Sequence, residues 1–131
     1  MKIYALRGAI QLREDSKDAM ELAVGRLLGE LSAKNRILPH RIIQVVFSQT
    51  GDLRNANPAT ALRKGGFDKA PLFCTQEPVY PDSLPRTVRV LLLCRAPFWS
   101  RAYWSRPAHC YLEGAASLRP DLSVSLEEAR R

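Results

Sequence analysis

The stretch that most constrains this fold is a run of aliphatic and β-branched residues that begins at Arg86 and ends at Cys94. Such a run predicts a central strand that is buried within a sheet. Because side chains alternate along a strand, Arg89 shares a face of it with Leu91 and Leu93. A guanidinium keeps its proton, so a buried Arg89 requires an anion beside it. That anion is either a protein carboxylate or a bound ligand.

Three further strands are predicted by apolar patterning, and they alternate with helices. These strands cover Lys2–Ala9, Ile42–Phe47 and Leu72–Cys74. A short helix follows the second of them, with Asn57 as N-cap, Pro58 in the first turn and Gly65 and Gly66 at its end. This alternation predicts an α/β or α+β fold with helices packed on a mixed β-sheet.

A longer helix is predicted to begin after Asp15 or Ser16, either of which can cap it. Its apolar stripe has helical spacing and consists of Met20, Val24, Leu27, Leu28 and Leu31. Gly25 and Gly29 weaken a helix, and close packing on the sheet would explain their presence.

Length and composition predict one ordinary globular domain. The chain has 131 residues, of which 46% are hydrophobic and 25% charged. The longest apolar run, Val90 to Cys94, is too short to span a bilayer. Arg7 interrupts the apolar start, so no signal peptide is predicted. We therefore expect a cytoplasmic protein without a membrane partner.

The cysteines and histidines do not form a metal-binding pattern. Cys74, Cys94 and Cys110 include no CxxC pair and are odd in number, which predicts reduced thiols. His40 and His109 are isolated from each other. No group of these residues has ligand spacing, so we predict neither a metal nor a cofactor.

The net charge of +7 raises the question of an anionic partner. The basic residues are spread from Lys2 to Arg131 without a polybasic block, which is typical of a solvated surface. A small anionic substrate explains a few arginines as well as a nucleic acid does. We therefore predict that nucleic acid is not a partner.

One segment, Phe98 to Arg106, interleaves aromatic residues with arginines. Platforms that stack single-stranded nucleic acid use this composition. The same composition suits an element whose rings pack on the body of the protein or on a neighbouring subunit. Packing is the favoured interpretation, because the segment is short and stands alone.

Several short motifs follow one another in a recognisable order. They are Leu6-Arg7-Gly8-Ala9, Asn57-Pro58-Ala59 with Ala61 and Arg63, Cys74-Thr75-Gln76-Glu77, Val88-Arg89-Val90, and Tyr111-Leu112-Glu113 followed by Leu118-Arg119-Pro120-Asp121-Leu122-Ser123. In this order and at this spacing the chain resembles the bacterial monofunctional chorismate mutases of the trimeric α/β class. The resemblance covers residues 1–123.

The resemblance implies a fold, an assembly and a reaction. Residues 1–123 would form a single chorismate mutase-like domain, and residues 124–131 a charged C-terminal tail. Three copies would form a homotrimer with a pseudo α/β-barrel and active sites in the clefts between subunits. Members of the family are isomerases that convert chorismate to prephenate in the biosynthesis of phenylalanine and tyrosine. The reaction is a Claisen rearrangement that uses no cofactor.

The resemblance also assigns roles to residues of this chain. Arg89 would hydrogen-bond the ether oxygen of the breaking bond, and Glu77 and Cys74 would face the ring and its hydroxyl. Arg7 and Tyr111 would hold a carboxylate. The chemistry agrees with these residue types, because the reaction requires one compact conformer and charges placed where charge develops, without a nucleophile or a general base.

Six further positions are assigned to substrate binding by the same resemblance. They are Asn57, Thr60, Arg63, Phe73, Leu118 and Arg119, of which Arg63 and Arg119 would lie near the mouth of the cleft. Asn57 and Thr60 stand where Phe and Lys are usual, and Phe73 stands where a small Thr is common. The segment between Cys94 and Tyr111 is also longer than usual. These departures leave a catalytically silent, metabolite-binding homologue as an alternative, and a basic nucleic-acid-binding module as a weaker one.

Overall fold

A computed structural model describes residues 1–121, which contain five strands, three α-helices and two 3-10 turns. In chain order these are β1 Lys2–Gln11, α1 Lys17–Asn35, the turn Pro39–Arg41, β2 Ile42–Gln49, α2 Pro58–Lys64, β3 Leu72–Gln76, β4 Thr87–Ala96, α3 Arg101–Trp104, β5 Cys110–Leu112 and the turn Glu113–Leu118. The predicted strands are all present, and each extends two residues further than its pattern indicated. The predicted tail, 124–131, and the last two residues of the final motif lie outside the described residues.

The five strands form one mixed sheet in the order β3-β2-β4-β1-β5. Strand β4 is antiparallel to both of its neighbours, whereas β2 and β3 are parallel, as are β1 and β5. The predicted mixed sheet is therefore confirmed. The strand that carries Arg89 is its central member, as its apolar run indicated.

Only one face of this central strand is buried within a single chain. Val88, Val90 and Leu92 point into the core with α1, whereas Leu91 on the opposite face is 40% exposed. The predicted burial of this strand is therefore confirmed for one face, while the other face stays partly exposed in one chain. The reason is that α1 and α2 both lie on the same side of the sheet, and the other side is left open.

Helix α1 is present, as its apolar stripe predicted. Ser16 is the N-cap, and its hydroxyl oxygen accepts from the backbone N–H of Ala19 at 3.1 Å. Asp15 has a different role, because its carboxylate accepts from the backbone N–H groups of Arg54 and Asn55 at 3.0 Å each. All five members of the predicted stripe are buried.

The two glycines of α1 do not pack on the sheet, so that prediction is wrong. Gly25 and Gly29 lie on the exposed face of the helix, and a Cβ added at either would meet nothing within 4 Å. The glycine that packs closely is Gly8 in β1. A Cβ there would lie 2.9 Å from Leu27 Cδ1 and 3.0 Å from the Cys110 carbonyl oxygen.

Replacing Gly25 or Gly29 with alanine is expected to raise the free energy of unfolding by roughly 1 kcal/mol each, because glycine disfavours a helix interior. Gly8→Ala should lower it, since the added methyl group collides with Leu27. Urea unfolding followed by circular dichroism measures both effects. An unchanged or lower stability for Gly25→Ala would show that this face of the helix is covered.

Three rings of the aromatic segment do not pack on the body of the protein. Phe98, Trp99 and Trp104 are 63%, 73% and 76% exposed, which contradicts that part of the prediction. The rings contact each other instead: Phe98 and Trp99 meet edge to face with centroids 5.2 Å apart. The segment is tied down through Lys2, whose Nζ donates to the carbonyl oxygens of Tyr103 and Ser105 at 3.2 Å.

Candidate active site

The open face of the sheet carries a groove that contains both arginines singled out by the sequence. It has a volume of about 250 Å³ and is lined by Arg7, Gly8, Val46, Ser48, Arg89, Val90, Leu91 and Tyr111. Strand register explains the grouping. Ser48 pairs with Arg89, Arg89 with Ala9, and Ala9 with Tyr111, so that one row of residues crosses four strands.

Glu77 supplies the anion that Arg89 requires. Its backbone N–H donates to the Gln49 carbonyl at 2.9 Å, which continues the pairing of β3 with β2 by one residue. Arg89 Nε lies 2.6 Å from Glu77 Oε1, and the Glu77 side chain is only 17% exposed. Within one chain, the anion beside Arg89 is therefore a protein carboxylate, that of Glu77.

The contact between Arg89 and Glu77 does not occupy every donor of the guanidinium. Oε1 is buried and accepts no hydrogen bond from the described residues, so its contact with Arg89 is electrostatic without hydrogen-bond alignment. The contact uses Arg89 Nε, and the two amino groups of the guanidinium carry further donors. The guanidinium can therefore offer further donors to a ligand while Glu77 balances its charge.

Tyr111 closes the other end of the groove. It is buried in a small cluster with Ala9 and Ala115, against which Leu84 and Leu118 pack. Because Ala9 is small, Tyr111 and Arg89 lie on either side of it in the same row of the sheet. Leu118 thus supports Tyr111, next to the groove.

Positive charge is concentrated near this end. Arg119 forms a two-point contact with Asp121, with Nε to Oδ1 at 3.0 Å and Nη2 to Oδ2 at 2.8 Å. That hydrogen bonding raises the pKa of Arg119 and lowers the pKa of Asp121. Burial, together with the charges of Arg7 and Arg119, lowers the pKa of His109. The positive charge of Arg7, with Arg119 close by, would favour a carboxylate at this end of the groove.

Four of the predicted site residues lie on the side of the sheet that the helices cover: Asn57, Thr60, Arg63 and Cys74. Cys74 pairs in register with Phe47, which is fully buried, so Cys74 points toward the helices. Its thiol donates to Asn57 Oδ1 at 3.5 Å, at the N-terminus of α2. Thr60 and Arg63 are exposed on α2. Within one chain, none of these four residues lines the groove with Arg89.

Phe73 lies on the side opposite to Cys74. It pairs with Val46, which lines the groove, and it is 66% exposed on the open face. A phenylalanine exposed at a sheet edge is available to a partner surface.

Three residues at the groove were missed by reasoning from the sequence. Ser48 and Val46 lie in a strand that was predicted, but only the pairing of β2 with β4 brings them beside Arg89. His109 was set aside as isolated, although its Nδ1 accepts from the backbone N–H of Arg7 at 3.0 Å. The available signal was its spacing, since His109 and Tyr111 share a face of an extended segment.

Two absences hold for the part of the chain that is described. No helix within residues 1–121 is long and apolar enough to cross a membrane. In the same range, no three side chains of His, Cys, Asp or Glu come together as they would around a metal ion.

Comparison with known proteins agrees with this arrangement. The sequence profile of the family described as chorismate mutase type I matches residues 3–122. The chain is 38% identical over 122 residues to the chorismate mutase AroH of Thermus thermophilus, covering 92% of this chain and 96% of that protein. It is 29% identical over 126 residues to the chorismate mutase AroH of Bacillus subtilis strain 168, covering 95% and 96%.

A solved structure shares the fold as well. The chorismate mutase from Clostridium thermocellum superposes with a TM-score of 0.78 at 31% identity, covering 87% of this chain and 98% of that one. The profile match and the 38% identity both extend over nearly the whole chain. The chain therefore belongs to the chorismate mutase type I family.

Proposed function

We propose that this protein converts chorismate to prephenate for aromatic amino acid biosynthesis, in active sites that two copies of the chain build together. The observation that carries the proposal is the row across the sheet. Arg89 and Tyr111 belong to this row, Arg7 lines the same groove, and Glu77 contacts Arg89 from the end of β3.

The rearrangement is assisted by charge and not by covalent chemistry. As the C–O bond of the ether breaks, negative charge grows on its oxygen and positive charge on the ring. An amino group of Arg89 would donate to that oxygen, and the carboxylate of Glu77 would accept from the ring hydroxyl and stabilise the ring. Their contact in the free protein sets the two groups in place before the substrate arrives.

Arg7 and Tyr111 would hold a carboxylate of the dianion. Both line the groove. The positive charges of Arg7 and Arg119, which both act on His109, favour an anion at that end. Leu118 would act through Tyr111, which it supports. A compact substrate conformer is selected when the carboxylate and the ether oxygen are bound at the same time.

The four site residues on the helix side of the sheet would complete the site from a neighbouring copy. Asn57, Thr60, Arg63 and Cys74 gather beside α2, whereas the groove of the same chain faces solvent. The open face also exposes Ile3, Phe73 and Leu91, which a partner would cover. A head-to-tail contact that closes after three copies satisfies both needs, and we propose this homotrimer with a pseudo-barrel of sheets.

We further propose that the enzyme works in the cytoplasm without a metal or an organic cofactor. Every step of the proposed chemistry is supplied by side chains of the chain itself. Neither nucleic acid nor a membrane has a part in it.

Product identification tests the reaction. Chorismate incubated with purified, chelator-treated protein should be converted to prephenate, which proton NMR distinguishes from its precursor. Tight binding of chorismate without conversion would favour the silent, metabolite-binding homologue instead.

Thr60→Lys tests the outer part of the site. A lysine here would lie one turn before Lys64, which pairs with Glu21. An exposed charge is worth about 1 kcal/mol or less, so KM should fall several-fold at low ionic strength with little change in kcat. Steady-state kinetics at two salt concentrations measure this, with Thr60→Gln as the uncharged control. A change in kcat alone would show that residue 60 does not belong to the outer part of the substrate site.

A further inference from the structure

The segment that carries Tyr111 is held by a buried side chain of α1. Asn35 is 6% exposed, and its Oδ1 accepts from the backbone N–H of Ala108 at 2.7 Å. Its Nδ2 donates to the Ala108 carbonyl at 2.7 Å and to the Leu31 carbonyl at 2.9 Å. One amide therefore satisfies both backbone groups of Ala108, as a neighbouring strand would do.

The next residue along the chain makes a contact of a different kind. His109 Nδ1 accepts from the backbone N–H of Arg7 at 3.0 Å. The ladder between β1 and β5 begins with Gly8 opposite Cys110. The imidazole thus pairs with the backbone immediately before the first rung, and it ties β5 to β1 at the residue whose side chain enters the groove.

We propose that His109, which follows the Ala108 backbone that Asn35 binds, is a positioning residue for the reaction: its neutral imidazole fixes Arg7 and Tyr111 relative to each other at the end of the groove. The inference rests on the proposed function, because it takes Arg7 and Tyr111 as the groups that hold the carboxylate. His109 is not among the residues that line the groove. It acts through the two residues beside it.

The contact exists only while Nδ1 is unprotonated, since a protonated Nδ1 is a donor and cannot accept from Arg7. The charged groups that face His109 are Arg7 from β1 and Arg119 from the segment after the last turn, and Arg119 is paired with Asp121. From α1, Lys34 and Glu30 act on the neighbouring Cys110.

Burial and the two arginines keep the pKa of His109 below 6.5. The neutral form, and with it the contact, therefore predominates at neutral pH. It is lost as the pH falls through the pKa of the folded protein. Because the unfolded chain binds this proton more readily, the stability that the contact contributes is lost in the same direction. Acid should thus reduce catalysis while the groove gains positive charge.

Two variants separate the effect of the hydrogen bond to Arg7 from the effect of protonating His109. His109→Asn keeps an acceptor at the δ position but cannot titrate, whereas His109→Leu removes the acceptor at every pH. We expect kcat/KM for His109→Leu to fall about 10-fold to 10²-fold at neutral pH, as for a misplaced substrate-binding group. His109→Asn should stay within about threefold of wild type and should lose the acid limb that we expect for wild type below pH 6.5.

A spectroscopic readout makes the test independent of activity. The ¹⁵N shifts of the His109 imidazole should report a neutral ring with Nδ1 as acceptor, and the Arg7 amide shift should move when that ring titrates. A folded His109→Leu variant with wild-type kcat/KM would overturn the proposal. So would a His109→Asn variant that keeps the acid limb.

Arg7→Ala distinguishes this failure from failure of the proposed function. If Arg7→Ala is strongly impaired and His109→Leu is not, only the positioning role is wrong. If Arg7→Ala is fully active, the assigned carboxylate site is wrong, and the positioning role falls with it. Trimer formation and circular dichroism of each variant confirm that the comparison is made between folded proteins.

Discussion

Replacing Arg89 with alanine is expected to lower kcat/KM for chorismate by at least about 10²–10³-fold, equivalent to roughly 3–4 kcal/mol of transition-state stabilisation. The loss should appear mainly in kcat, because the donor acts on charge that develops only as the bond breaks. It would also leave Glu77, with its buried Oε1, without the cation beside it. Steady-state kinetics of the purified variant measure the fall in kcat/KM and the share of it that appears in kcat.

Arg89→Lys refines this test. A lysine keeps the charge but loses the planar fork, so it cannot face Glu77 through one nitrogen and the ether oxygen through others. It should therefore remain badly impaired. Arg101→Ala is the control, because Arg101 is an exposed arginine of α3 outside the groove. Near-wild-type activity of Arg89→Ala would remove Arg89 from the chemistry.

Mixing two inactive variants should restore activity if each site draws on two chains. The first chain carries Arg89→Ala, which damages the groove. The second carries Arg63→Ala together with Cys74→Ala, which damages the group beside α2. Random assembly of equal amounts into cyclic trimers would give intact sites at roughly one quarter of the interfaces. Activity after co-refolding, compared with each variant alone, measures this restoration.

The fold supplies a matched control for that experiment. Arg7 and Arg89 line the same groove of one chain, on neighbouring strands. A mixture of Arg7→Ala and Arg89→Ala therefore contains no chain with an intact groove, and it should stay inactive. Restoration by this control pair, or none by the first pair, would contradict the division of residues between two chains.

Local signals were sufficient to predict most elements of this fold. Ser16 and Asn57 cap α1 and α2 through bonds that the sequence already indicates, and the stripe from Met20 to Leu31 faces the core. Side chains also alternate along β1, where Ile3, Ala5 and Arg7 share the exposed face. These features depend on residues a few positions apart, whose geometry a helix or strand determines.

The candidate site depends on pairings between distant strands, which local patterns do not encode. Arg89 and Tyr111 are brought together only because Ala9 pairs with both. The family resemblance selected these residues, but it could not show that Glu77 contacts Arg89 or that His109 contacts the Arg7 backbone. Both contacts join residues from separate elements.

The wrong predictions have a common physical cause. Composition indicated which residues are apolar or small, but not which face of the sheet the helices cover. Leu91, Trp99 and Gly25 were all expected to pack, and all three are exposed in a single chain. For Leu91, on the open face, the proposed trimer supplies the missing partner.

The loss of chorismate absorbance on addition of the purified protein tests the central claim most directly. The groove around Arg89 is proposed to rearrange chorismate with side chains alone. The wild-type protein should therefore consume chorismate rapidly after dialysis against a chelator, and Arg89→Ala should do so at least about 10²–10³-fold more slowly. Persistence of chorismate with the wild-type protein, or equal rates for the two proteins, would contradict this claim.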